Sequence, residues 1–195
     1  MTARHLMTTP QLFEVTPAAD AGLWESEDVA RASDFQARAG AAGADFKLKA
    51  IARLQEAGGR VVCRRHHRCG FSVDAEVAGA NGQRFLVLAR GTQDDTKTAG
   101  LRRIDTVQKV GFVATHLSVE QRLPILIMTS HLPPRSSTAG NQLAKLGPYV
   151  ADVIATTGDF RGYQRLLTLL QDGSKGTGPA LWRDTVGSNQ LTLAF

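Results

Sequence analysis

The segment from Phe71 to Arg90 constrains the fold more than any other part of the chain. Two strand-like runs, Phe71 to Val77 and Gln83 to Arg90, are separated by Ala80-Asn81-Gly82. This triplet suits a three-residue hairpin loop, a type I turn closed by glycine in the left-handed region. Such a loop sets Gly79 opposite Gln83 and, counting back, Asp74 opposite Leu88. A two-residue Asn-Gly turn would instead pair Asp74 with Ala89. Residues paired across an antiparallel ladder share a face, so the register decides which side chain stands beside Asp74.

The rest of the chain arranges itself around that hairpin. Ala18 to about Ala39 is alanine-rich and charged and can form a helix, with a weak apolar stripe. Asp45 to Ala57 is a clearer helix, with Phe46, Ile51 and Leu54 on one face and Gly58-Gly59 ending it. Arg60 to Arg68 reads as a strand leading into the hairpin. Leu101 to Leu117 reads as a helix with Ile104, Val107, Val110 and Val113 inward, and Leu123 to Thr129 as a buried strand. A helix over Thr138 to Leu146, a strand over Val150 to Ala155 and a helix over Arg161 to Leu170 follow. The order predicts an α/β fold, a mixed central β-sheet flanked by helices. Residues 1–17 read as an N-terminal tail, 18–172 as the α/β domain, and 173–195 as a glycine-rich linker with an apolar C-terminal docking segment.

At 195 residues the chain is long enough to bury a real core, and 43% hydrophobic with 21% charged residues is an ordinary globular balance. The net charge of +5 suits a polyanionic partner. The longest apolar run, Pro124 to Met128, falls far short of the roughly 18 residues that span a bilayer. The N-terminus has no hydrophobic signal-peptide core, and there are two cysteines, Cys63 and Cys69. A cytoplasmic protein with no membrane association is the expectation.

Gly43-Ala-Asp-Phe-Lys47 on the first helix, Ser72-Val-Asp-Ala-Glu76 on the second strand and Leu86-Val-Leu-Ala-Arg-Gly91 on the third form one constellation. Gly100-Leu-Arg-Arg-Ile-Asp-Thr-Val-Gln108 and Ile125-Leu-Ile-Met-Thr-Ser-His-Leu-Pro133 continue it. From about Gly43 to Leu170 the chain resembles the restriction-endonuclease-like PD-(D/E)xK nuclease superfamily. The resemblance implies a restriction-endonuclease-like core and a phosphodiester hydrolase site. There, two carboxylates and a backbone carbonyl hold a divalent metal while a lysine positions or activates the attacking water. Cleavage needs a Lewis acid and a hydroxide-like nucleophile, and magnesium takes hard oxygen ligands.

Carried over by residue, Asp74 matches the first acid and is the one implied metal ligand. Leu88 stands where the second acid belongs, and Arg90 where the lysine belongs. Lys47 stands where the first helix often carries a glutamate. Leucine cannot ligate a metal, arginine stays protonated and is a poor base, and Lys47 repels a cation. Glu76, two positions along the strand from Asp74, is a candidate replacement carboxylate, and Gln108 a candidate supporting residue on the following helix.

The densest basic run is Arg64-Arg65-His66-His67-Arg68. Alternation puts Arg64, His66 and Arg68 on one side of a strand, with Cys63, Arg65, His67 and Cys69 on the other. A phosphate-facing or solvated strand suits this run better than a zinc site, because six extended residues span roughly 20 Å. Arg102 and Arg103, opening a helix beside Gly100, with Lys97 upstream and Lys109 further along, suit phosphate contacts.

Three functions follow as expectations. The first is a DNA-binding protein of the nuclease fold with metal-dependent cleavage weakened or lost, a pseudoenzyme in which Lys47 and Arg90 supply the charge of the metal. The second is an active magnesium-dependent endonuclease with a migrated site using Asp74 and Glu76 with Lys97 or Lys109. The third is a non-catalytic subunit docking through its termini, as a homodimer or in a larger assembly.

Overall fold

The computed structural model describes residues 24–92, 99–121 and 123–172. Its contacts divide the chain at Ala37/Arg38, and the sheet lies within the second unit. Helix α1 spans Trp24–Glu56. The two helices expected on either side of residue 40 are therefore one. Gly40 and Gly43 each cost about 1 kcal/mol of helix propensity relative to alanine, but the alanines around them favour the helix most strongly of all residues. At the C-terminal end, Gly58 takes φ 91°. Gly59 donates to the Leu54 carbonyl at 2.9 Å and Gly58 to that of Gln55 at 3.0 Å. This is the glycine-closed helix end expected from Gly58-Gly59.

Five strands form one sheet among the described residues, in spatial order β1 to β5. They are β1 (Arg60–Arg68), β2 (Phe71–Ala78), β3 (Arg84–Arg90), β4 (Ile125–Thr129) and β5 (Asp152–Ala155). β1, β2 and β3 are antiparallel, while β3, β4 and β5 run parallel. The parallel pairs need crossovers, which carry α2 (Ile104–Gln121) and α3 (Thr138–Ala144); α4 (Phe160–Asp172) follows β5. The expected mixed sheet flanked by helices is present.

The hairpin has the expected loop. Gly79 donates to the Gln83 carbonyl and Gly82 to that of Gly79, at 2.8 and 3.0 Å. Gly82 has φ 81°. The ladder accordingly pairs Ala78 with Arg84 and runs to Ala75 with Val87. It ends there, one step before Asp74 and Leu88.

Each sheet face carries its own core. Phe46, Ile51 and Leu54 of α1 and Leu166, Leu169 and Leu170 of α4 pack on Ala75, Val77, Phe85, Val87 and Ala89. On the other face Val107, Val110 and Leu117 of α2 and Leu143 of α3 pack on Leu86, Leu88, Ile125 and Ile127. Ile104, expected inward, is 36% exposed. Helix α2 begins only at Ile104, after a 3-10 turn over Gly100–Arg102, so the inward stripe starts one turn later, at Val107. β5 is fastened to α4 by Arg165 Nε on Asp152 Oδ2 at 2.8 Å. Burial pushes the Asp152 carboxyl above the usual carboxylate range, and Arg165 opposes that shift.

Candidate functional site

Strict alternation would place residues 73, 75 and 77 on one face of β2. Ala75 and Val77 pack with the α1 and α4 side, whereas Val73 packs with the α2 side beside Leu86 and Leu88. Alternation is thus broken at Asp74, where the ladder with β3 stops. In place of a ladder bond, the Ala89 N–H donates to Asp74 Oδ2 at 2.8 Å. β1 is irregular at the same level. Arg65 lies between the paired residues Arg64 and His66 and has φ 44°, a left-handed value that costs a non-glycine residue roughly 1–2 kcal/mol.

The break aims the Asp74 carboxylate at two cations. Lys47 Nζ lies 2.8 Å from Oδ1 and Arg90 Nη1 lies 2.7 Å from Oδ2. The same Arg90 nitrogen donates to the Ala89 carbonyl at 2.7 Å. Asp74 is 5% exposed, while the side chains of Lys47 and Arg90 are 37% and 28% exposed. Lys47, Asp74 and Arg90, singled out from sequence, therefore meet in one cluster, in which two cations outnumber one anion. Leu88 does not join them. It is completely buried on the α2 side.

Glu76 also stands apart from the Asp74 cluster. It is 1% exposed. Its Oε2 lies 3.2 Å from Arg68 Nη2, and its Oε1 pairs with Arg84. The two carboxylates of β2 thus serve separate sets of cations, which corrects their expected cooperation and removes Arg68 from the free phosphate contacts. Around Asp74 the donor set does not fit magnesium. Both oxygens of the one carboxylate are engaged by protein donors, the second position is a buried leucine, and Lys47 adds positive charge where a cation would sit. Among the described residues no group of three or more His, Cys, Asp or Glu side chains is placed to hold a metal ion.

Arg102 and Arg103 precede helix α2, which begins at Ile104, rather than opening it. Arg103 binds Asp105 through Nε and Nη2, both at 3.0 Å, and this hydrogen-bonded pairing holds the Asp105 carboxyl below its usual range. The Leu101 N–H is taken by the His131 carbonyl and by Thr129 Oγ1, at 3.0 and 3.3 Å. Arg102 is exposed on the 3-10 turn, and Gln108 and Lys109 are exposed on α2. None of these hydrogen-bonds to Asp74. Lys97 lies outside the described residues.

Arg64 and Arg65 are exposed on β1. Arg65 and His67, expected on one side of that strand, both line a groove of about 580 Å³ with Ser72, Val73, Asp74 and Lys47. Its helix wall is Ala39, Gly40, Gly43 and Ala44. Sequence reasoning missed this wall, although Gly40, Gly43 and Lys47 are spaced i, i+3, i+7 and so share one helix face. No family model, curated protein or solved structure matches the chain, and no described helix is long and apolar enough to cross a membrane.

Proposed function

We propose that this chain is a nucleic-acid-binding protein with a restriction-endonuclease-like core, and that its metal-dependent cleavage has been lost. The observation that carries the reading is the occupation of Asp74. Lys47 and Arg90 take one carboxylate oxygen each, so protein cations stand where the resemblance implies a metal. The element order supports the fold assignment: a helix, an antiparallel β1–β2–β3 meander, then a helix leading to a strand parallel to β3. The net charge of +5 supports a polyanionic partner, as do the exposed Arg64 and Arg65.

Phosphate contacts release counterions, so affinity for DNA is expected to fall as salt rises, by roughly tenfold or more between 50 and 200 mM for three or more contacts. Fluorescence anisotropy with labelled single- and double-stranded oligonucleotides measures this. Absent or salt-independent binding would rule the reading out. Incubation of the same substrates with magnesium or manganese is expected to leave them intact. Metal-dependent cutting that disappears in Asp74→Ala would show instead that the chain is an enzyme.

A further inference from the structure

We propose that the groove between α1 and the β1–β2 pair binds a single strand of nucleic acid, with Arg65 and Lys47 holding a backbone phosphate. This rests on the reading of the chain as a nucleic-acid binder and adds the class of ligand and its seat. The groove's volume of about 580 Å³ falls within the range that encloses small organic ligands. A volume of that size matches a nucleotide or two of one strand rather than the paired strands of a duplex.

The wall formed by α1 is bare. A Cβ built on Gly40 or Gly43 meets nothing within 4 Å, although each glycine costs about 1 kcal/mol of helix propensity relative to alanine. Their absence of side chains keeps the groove open; packing does not require it. The facing wall presents Arg65, His67 and Ser72. Arg65 is exposed and makes no ion pair with any described residue, and it occupies a left-handed backbone conformation at φ 44°. Its guanidinium has the fork geometry that grips phosphate oxygens in pairs.

Lys47 lines the groove beside Asp74. Turning it from Asp74 Oδ1 to a ligand phosphate leaves the carboxylate with Arg90 and the Ala89 N–H at 2.7 and 2.8 Å, so no buried anion is stranded. Asp74 repels phosphate from its own side of the groove, which seats the phosphate between Lys47 and Arg65. Bases are then left to lie along the glycine surface of the helix, where their faces meet backbone rather than side chains.

Gly43→Leu tests the idea because it fills the groove from a position with open space around it. Anisotropy would be measured on the full chain with a 12-nucleotide single strand of DNA or RNA, the blunt duplex of the same sequence, and a mononucleotide. The wild type is expected to bind the single strand at least tenfold more tightly than the duplex or the mononucleotide, for either sugar. Gly43→Leu is expected to keep or raise the melting temperature while weakening single-strand binding at least tenfold. Gly40→Leu provides the same test should the first variant fail to fold. Equal or tighter duplex binding, a mononucleotide bound as tightly as the 12-mer, or unchanged single-strand affinity in a folded leucine variant would overturn the groove assignment alone. Failure to bind any of these nucleic acids would overturn the nucleic-acid reading with it.

Discussion

Three donors converge on Asp74, and they are not equivalent in what their loss would cost. The carboxylate is 5% exposed, whereas Lys47 and Arg90 both reach solvent. Removing Arg90 leaves a buried anion with one lysine and one N–H. Removing the carboxylate leaves two cations free to turn towards water and strands only the neutral Ala89 N–H. Arg90→Ala is therefore expected to destabilise the fold by about 1–3 kcal/mol, and Asp74→Ala by less. Urea denaturation of the two variants decides the order, and a larger loss for Asp74→Ala would contradict it. Leu88 makes a sharper case at the same scale. A glutamate there would be buried among Val107 and Val110, so placing the acid that the nuclease resemblance implies, with Leu88→Glu and Arg90→Lys, is expected to cost several kcal/mol. It is not expected to create a magnesium site. A magnesium-dependent rise in melting temperature for that double variant would refute this. The meeting of Lys47 and Arg90 with Asp74 was legible in the sequence. The separation of Leu88 from Asp74 was not, because the register fixes which residues are opposite only while the strand keeps alternating.

That alternation fails in an element whose sequence gives little warning. β2 reads as an ordinary strand, and its break at Asp74 comes from a competition that only the assembled sheet reveals. The Asp74 carboxylate accepts the Ala89 N–H, and the β2–β3 ladder ends at Ala75 and Val87. β1 answers with Arg65 at φ 44°. Glycine adopts that conformation without the steric penalty of a Cβ, so Arg65→Gly is expected to leave stability unchanged or raise it by up to about 1 kcal/mol. Single-strand affinity is expected to fall at the same time. Measured together, a melting curve and a binding isotherm separate this from a merely structural arginine, whose loss would lower both. The bounds of β1 were legible to the residue, Arg60–Arg68, because Gly58-Gly59 precedes it and a turn at Cys69-Gly70 follows it. The division of α1 into two helices was misjudged for the complementary reason. Two glycines inside an alanine-rich run look like a stop, yet no left-handed turn is needed there, and Gly40 and Gly43 carry no positive φ.

At the scale of the whole molecule, the sheet separates two apolar layers, and every residue of both lies between Phe46 and Leu170. The contacts divide the chain at Ala37/Arg38, and both the groove and the Asp74 cluster fall on the C-terminal side of that division. The tails at 1–17 and 173–195, which the sequence suggests as docking segments, lie outside the described residues. A chain of residues 38–172 therefore contains every described residue of both apolar layers and the whole proposed site. It is expected to unfold in one cooperative transition, as single domains of this size usually do, and to bind the single-stranded 12-mer within about threefold of the full chain with the same dependence on salt. Circular dichroism melts and anisotropy at two salt concentrations check both halves. A cooperative fold with lost affinity would move nucleic-acid recognition into the removed segments and away from Arg65 and Lys47. Loss of the transition itself would mean that the core of the sheet depends on contacts made by residues outside 38–172, although the described residues of both apolar layers lie within them.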